Sequence, residues 1–366
     1  MKTGKDIRSL AIELERRRTL KRDFVVRTES AQMGVVEGTS TSNNLVLAFG
    51  DQATSINDIA HSQIADHTGI PARYYAKMRA EAPHLLADNV NEWFKRYPAP
   101  RMVRTLDNRA RAFMSDKYRP LENEDLANAA LPAIARLGVE IISCDVTDRR
   151  FYVKAVDRRI EKDIPTGNKL GDGSHVFFDT LSPAIVIENS EVGMGALSVK
   201  TSIFTKVCTN LCTIDKAGSL RQYHIGGKHE IGEDVYAMLS DKTRRLNDAA
   251  LWAKVGDIIQ GAFDAARFAA LVDDKIVGMT ERKIAGDPVK AIDLTSKTFG
   301  FNEIERSNVL RHLIEGGDLT QYGLFNAITR TAEDIDDYDR ATDFERFGGK
   351  MIELPKNEWK LIAEAA

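Results

Sequence analysis

Six cations fall within residues 101–119: Arg101, Arg104, Arg109, Arg111, Lys117 and Arg119, against only Asp107 and Asp116. That is a local surplus of four positive charges in a chain whose formal net charge is −3. A guanidinium presents a planar fork of donors that fits phosphate oxygens two at a time, and binding a polyanion releases its counterions. Phosphate is therefore the chemistry this spacing points to, and nucleic acid is its commonest source.

Aromatic side chains supply a second half to the pattern. Phe113, Tyr118, Phe151 and Tyr152 interleave with Arg111, Lys117, Arg149, Arg150 and Lys154 on segments that read as strands, and Lys200 and Lys206 add cations further on. Sheets that bind single strands stack bases on such rings while cations follow the backbone. Alternation alone gives the same spacing when rings point into a core and cations out of it. The candidate contact residues are Arg101, Arg104, Arg109, Arg111, Lys117, Tyr118, Arg119, Arg150, Tyr152, Lys154, Lys200 and Lys206.

Other constellations carry less. Residues 56–79 have the spacing of a helix-turn-helix: Ala65, then Gly69-Ile70 for the turn, then Tyr75 and Met78, with Arg73, Lys77 and Arg79 on the second helix. Any tight helical hairpin wants the same small residue and glycine. Cys208, Cys212, His224 and His229 sit near the spacing of a Cys2His2 zinc site, yet Asp215 to Ser219 reads as a turn where a finger needs its helix. No zinc is expected. The polar run Glu188-Asn-Ser-Glu191 with Gly193 and Gly195 reads as a hairpin loop, or as the lining of a cleft. Gly193-x-Gly195 and Gly171-x-Gly173 lack the remainder of a dinucleotide or P-loop fingerprint. No catalytic pairing emerges, and no cofactor is expected.

The elements that must hold these residues follow from periodicity. At 366 residues, the chain is long enough for two or three domains. The pattern divides it into a helical, helix-turn-helix-like region at 1–100, a β-rich core with the basic patch at 101–230, and a helical region with an acidic segment at 231–366. Helices are predicted over 5–20, 122–137, for nearly fifty residues from Glu233 and over 322–332, with Asn302 and Glu305 forming a cap and Gly316-Gly317 ending a helix. Strands are predicted within 24–50, 110–114, 139–146, 150–156, 184–187, 196–201 and 202–209. This is an α+β pattern with a mixed, mainly antiparallel sheet in the middle. Three cysteines make no disulfide framework, and no apolar run reaches the roughly 18–20 residues that cross a bilayer. A cytoplasmic protein without membrane contact is expected. The cations of Arg16 to Arg22 and the acids of Glu333 to Asp339 form opposite poles, which suggests a homo-oligomer with one protomer's basic pole against the next one's acidic pole.

Several segments together carry a resemblance: Arg109 to Asn123 with its Ser-Asp-Lys-Tyr core, Glu188 to Gly193, Val207 to Asn210, and Asn326 to Thr329. They resemble the phage/plasmid-related protein family, a domain of unknown function found on phages, prophages and conjugative plasmids, over about residues 50–350. Leu211-Cys212 stands where that pattern has a glycine and an aliphatic, so Cys212 is peculiar to this chain. The resemblance implies a DNA role on a mobile element, with suspected kinship to single-strand annealing proteins, and no active site. The expected function is single-stranded DNA binding or annealing in recombination or repair. The alternatives are a duplex-binding regulator or anti-defence factor using residues 56–79, and a nucleic-acid-modifying enzyme built on the Glu188–Gly195 loop.

Overall fold

The computed structural model describes residues 1–36, 44–169, 176–206, 210–214, 219–222 and 240–365. Asp6 starts helix α1 (Ile7–Leu20) by accepting from the amides of Arg8 and Ser9 at 2.9 Å, and Leu10 and Leu14 form its buried stripe. Strands β1 (Arg22–Arg27), β2 (Ala31–Val35), β3 (Leu45–Phe49) and β4 (Gln52–Ile56) follow. Helices α2 (Asp58–Thr68), α3 (Ala72–Glu81) and α4 (Pro83–Arg96) come next, then β5 (Pro100–Leu106) and β6 (Arg109–Ser115). The six strands make one sheet in the order β1-β5-β6-β4-β3-β2. Every pairing in it is antiparallel except β4 with β6. Alternate side chains (Ala31, Met33, Leu45, Leu47, Phe49, Val103, Phe113) face inward, and the three helices bury them. The first sheet runs across the boundary drawn at residue 100. Strands β5 and β6 complete the N-terminal sheet, because β1 and β4 supply their hydrogen-bonding partners.

Helix α5 (Asn123–Leu137) closes on Gly138 in the left-handed conformation and leads into a second sheet. Its strands are β7 (Glu140–Val146), β8 (Phe151–Val156), β9 (Lys162–Lys169), β10 (Val176–Asn189), β11 (Leu197–Thr205), β12 (Asn210–Thr213) and β13 (Leu220–Gln222). The order is β12-β11-β10-β8-β7, with β9 on β10 and β13 on β11, and all pairings are antiparallel. The two short strands expected at 196–201 and 202–209 are one strand, β11, since it pairs with β10 without a break from Ser198 to Thr205. One face of this sheet carries Phe151, Val153, Ala155, Ile185 and Ile187, packed on α1, α5 and the next helix, α6 (Asp241–Ala262).

The C-terminal helices are α7 (Ala265–Lys275), α8 (Pro288–Phe299), α9 (Glu303–Gly316), α10 (Gln321–Arg330), α11 (Tyr338–Ile352) and α12 (Lys356–Ala363). They form a core of their own that takes in Ile164, Leu181, Ile203, Cys212 and Ile214 from the strands. The capping box at α9 is present in both directions, at 2.8 and 2.9 Å. Helices α8, α11 and α12 are absent from the sequence reading. Of these, α11 begins inside the acidic run, where Asp337 caps it by accepting from the Arg340 amide at 2.7 Å. The chain is an α+β protein, and none of the described helices is long and apolar enough to cross a membrane.

Two imidazoles are built into the N-terminal core. His61 is buried with Nδ1 2.8 Å from the Tyr75 hydroxyl, and burial pushes its pKa down to about 3. Burial and the Arg101 charge push His67 down to about 4. Both rings titrate near 6.5 when unfolded, so between about pH 4 and 6.5 the unfolded chain binds protons that the native one does not. The stability they contribute is complete above about pH 6.5 and is lost as pH falls through that window. Urea midpoints measured at pH 7.5 and 5 should fall toward acid, with a slope from His61 of up to about 1.4 kcal/mol per pH unit. His61→Gln should flatten that dependence; an unchanged slope would show that His61 is not held neutral.

Candidate nucleic-acid interface

Strands β5 and β6 place the basic segment, and they turn most of it inward. Arg104 is 0% exposed. Its Nε donates to Asp23 and its Nη1 to the carbonyl of Glu191, both at 2.8 Å, while Nη2 pairs with Glu122. A bulge in the β5–β6 register sets Arg111 beside the same loop, where Nη1 donates to Glu191 Oε2 at 2.8 Å. Lys21 closes the group from the end of α1, 2.6 Å from Glu122. Burial disfavours ionising Glu191, but Arg111 and Lys21 outweigh it and hold its pKa well below the usual range. Burial and the Glu191 charge push Glu122 the other way, so Glu122 is the carboxyl of the pair that takes up a proton first.

The second sheet repeats this arrangement on its other face. Tyr152, 0% exposed, donates its hydroxyl to Asp339 at 2.7 Å. Lys154, also 0% exposed, reaches Glu345 at 2.9 Å and Thr342 at 3.1 Å, beneath α11. Lys200 lies 3.9 Å from Glu188, which also accepts from Arg346 at 2.7 Å. Burial opposes the Glu188 charge, and Arg346 and Lys200 hold its pKa below the ordinary value regardless. Arg104, Arg111, Tyr152 and Lys154 are thus corrected from surface contacts to interior ion pairs and hydrogen bonds. Phe113 and Phe151 are core as well. The outward face of the first sheet presents Val25, Gln32, Val46, Ala48, Ala53 and Ser55, none of them aromatic, and the Tyr118 ring packs on Ala112 and Met114.

The remaining candidates sit nearer the surface. Lys117 and Lys206 are exposed, the latter 2.9 Å from Glu161. Arg119 pairs with Asp248, and Arg101 lies 2.6 Å from His67 Nδ1. Tyr118 donates to the carbonyl of Ser190 at 2.9 Å, and Arg150 Nε to that of Met194 at 2.9 Å. Arg109 is half-buried near Asp58. Several charges of the two poles have partners within the chain, though not in each other. Arg16 and Arg17 bind Glu13, and Arg18 binds Glu15. Asp334 accepts from Arg311 at 2.8 Å, and Asp336 lies 3.6 Å from Lys2. Of the zinc-spaced residues, Cys212 is buried among core side chains, and Cys208, His224 and His229 lie outside the described residues.

The helix-turn-helix spacing does correspond to a helical pair. Asn57 caps α2 by accepting from the Ala60 amide at 2.8 Å, Gly69 ends it at φ 68°, and Pro71 starts α3. Ala65, Ile70, Tyr75 and Met78 are the buried contacts between helices and sheet. Arg73, Tyr74 and Lys77 stand on the outward face of α3, with Tyr74 50% exposed. The first turn of α3 has no acidic residue, and no side chain caps its amino end.

Removing one partner from a buried ion pair leaves the others unpaired and typically costs about 3–5 kcal/mol. Arg104→Ala should therefore lower the unfolding free energy by that order in a guanidinium titration, whereas Lys206→Ala, at an exposed pair, should change it by less than about 1 kcal/mol. Equal effects would mean that the Arg104 network adds nothing to the fold. No family model, curated protein or solved structure matches the chain.

Proposed function

We propose that this chain binds nucleic acid and that its contact surface is the outer face of α3 rather than the strands of either sheet. The observation that supports this reading is the solvent-facing set Arg73, Tyr74 and Lys77 on a helix whose amino end is uncapped and free of acids. An uncapped amino end offers amide donors and a positive dipole pole to phosphate. A helix fits the major groove of a duplex, which is about 12 Å wide, and the second helix of such a pair contacts bases through its first residues. Duplex DNA is the favoured ligand on these grounds, as a regulator or anti-defence factor would require.

Single-strand binding, the work that the resemblance to mobile-element proteins implies, has a different support. Arg149 and Arg150 sit at the β7–β8 turn and form no ion pair with any carboxylate among the described residues. Comparing single- and double-stranded oligonucleotides over a salt series separates the two readings. Arg73→Ala/Lys77→Ala should weaken duplex binding and reduce the slope of log K against log salt by about one per lost phosphate contact. Stability should be unchanged, since both side chains are exposed. Unaltered affinity and slope in the double variant would remove α3 from the interface.

A further inference from the structure

At one end of the second sheet, a cavity of about 220 Å³ opens between the β7–β8 turn, the β10–β11 loop and the amino end of α11. Its walls are Arg149, Arg150, Met194, Asp337, Asp339, Arg340 and Asp343. Several of these charges are already engaged. Arg340 binds both carboxylate oxygens of Glu305 at 2.7 Å, Asp343 accepts from Arg346 at 2.6 Å, and Asp337 caps α11. Among the described residues, the Arg149 side chain has no hydrogen-bond or ion-pair partner, and Arg150 donates to the carbonyl of Met194. On the opposite wall, Asp339 accepts from the hydroxyls of Tyr152 at 2.7 Å and Thr147 at 3.0 Å, and among the described residues it forms no ion pair. The cavity therefore has a cationic wall and an anionic wall, and among the described residues neither Arg149, Arg150 nor Asp339 is held in an ion pair.

The walls are rigid before any ligand arrives. The amides of Arg149 and Arg150 donate to Thr147 Oγ1 at 3.1 and 2.9 Å, and the Thr147 amide donates to the Arg150 carbonyl at 2.8 Å. Ser190 Oγ donates to the Arg149 carbonyl at 2.7 Å and accepts from the Met194 amide at 2.9 Å, which fastens the glycine-bearing loop to the turn. Gly193 is required at its position in that loop. It has φ 77°, and a Cβ there would meet Met114 Sδ at 3.1 Å. Fixed backbone around unpaired charged heads is what a preorganised polar site looks like.

We infer that this cavity binds a single nucleotide unit, phosphate against Arg149 and Arg150 and an amino-bearing base edge toward Asp339. Phosphate suits paired guanidinium forks. A carboxylate accepts from an exocyclic amine such as cytosine N4. It repels the carbonyl oxygen that uracil and thymine present at the same place. The Met194 side chain, 37% exposed, offers an apolar surface for the flat of the base. The unit arrives either as a free mononucleotide or as one residue of a single strand. The site does not depend on α3, and it gives the single-strand reading a contact point.

Calorimetric titration of the full chain with CMP, UMP, inorganic phosphate, and oligo-dC and oligo-dT tests this. CMP should bind saturably and at least several-fold more tightly than UMP or phosphate, and Arg149→Ala/Arg150→Ala should weaken it at least tenfold. Oligo-dC binding more tightly than CMP, with the same loss in the double variant, identifies the single strand as the source; CMP binding alone identifies the free nucleotide. Absence of saturable CMP binding, equal binding of CMP, UMP and phosphate, or a double variant that binds CMP normally overturns the inference. Oligonucleotide binding that persists in the double variant would leave the single-strand reading standing without this cavity. Arg150→Lys, which keeps the charge without the fork, should retain only part of the affinity.

Discussion

Glu191 is a carboxylate taken out of water at the point where the two sheets meet, and it is tolerated only because three groups reach it. Arg111 comes from the first sheet, the Asn123 amide from the start of α5 at 2.9 Å, and Lys21 from the end of α1 at 3.6 Å. Arg104 binds the carbonyl of the same residue. Desolvating such charges costs several kcal/mol per ion, and the cost is recovered only when geometry and hydrogen bonding are nearly complete. The relative placement of β6, β10, α1 and α5 is therefore constrained by one charge that has no acceptable alternative arrangement. Apolar contacts would tolerate a slip between the sheets. This group does not.

The same constraint explains why the basic segment was misread as a surface. Arg101 to Arg119 alternate with apolar residues, as an outward strand face would. The sequence carries no mark of the partners, because Asp23, Glu122 and Glu191 lie on three different elements. Residues whose partners are local were legible: Asn302 with Glu305 in the α9 cap, Gly317 at its end, and Gly69 in the α2–α3 turn. Residues whose roles depend on distant elements were not. Lys154 could not be matched to Glu345, nor Tyr152 to Asp339, across nearly 190 positions of chain.

Helix α11 shows the limit most clearly. The run Glu333 to Asp339 reads as a solvated acidic pole, yet Asp337 is a helix cap and Asp339 is a buried acceptor. Tyr338, Thr342, Glu345 and Arg346 then lie along the helix and meet polar groups of β7, β8 and β10. The opposite side of the helix carries an apolar stripe, Ala341, Phe344, Phe347, Met351 and Ile352, buried in the C-terminal core, so its period is present in the sequence and only the partners of its polar side are not. Arg149 was noticed only as one cation among many. Its signal, two adjacent arginines in a short strand connection, gains meaning only once the opposite wall of the cavity is known.

Charge that counts toward binding is charge left over after folding. An arginine already hydrogen-bonded to carboxylates cannot donate to a phosphate without leaving those carboxylates unpaired. This removes Arg104, Arg111, Lys154 and Arg346 from any polyanion interface, whatever their density in the sequence. Arg73 and Lys77 on α3, the latter exposed and 4.0 Å from Glu81, and Arg149 and Arg150 on the turn lie on two separate surfaces. One is a convex helix face; the other lines a cavity. A convex helix and a concave pocket demand opposite shapes from a ligand, so binding at one predicts nothing about the other, and each must be abolished separately before nucleic-acid binding by this chain is given up.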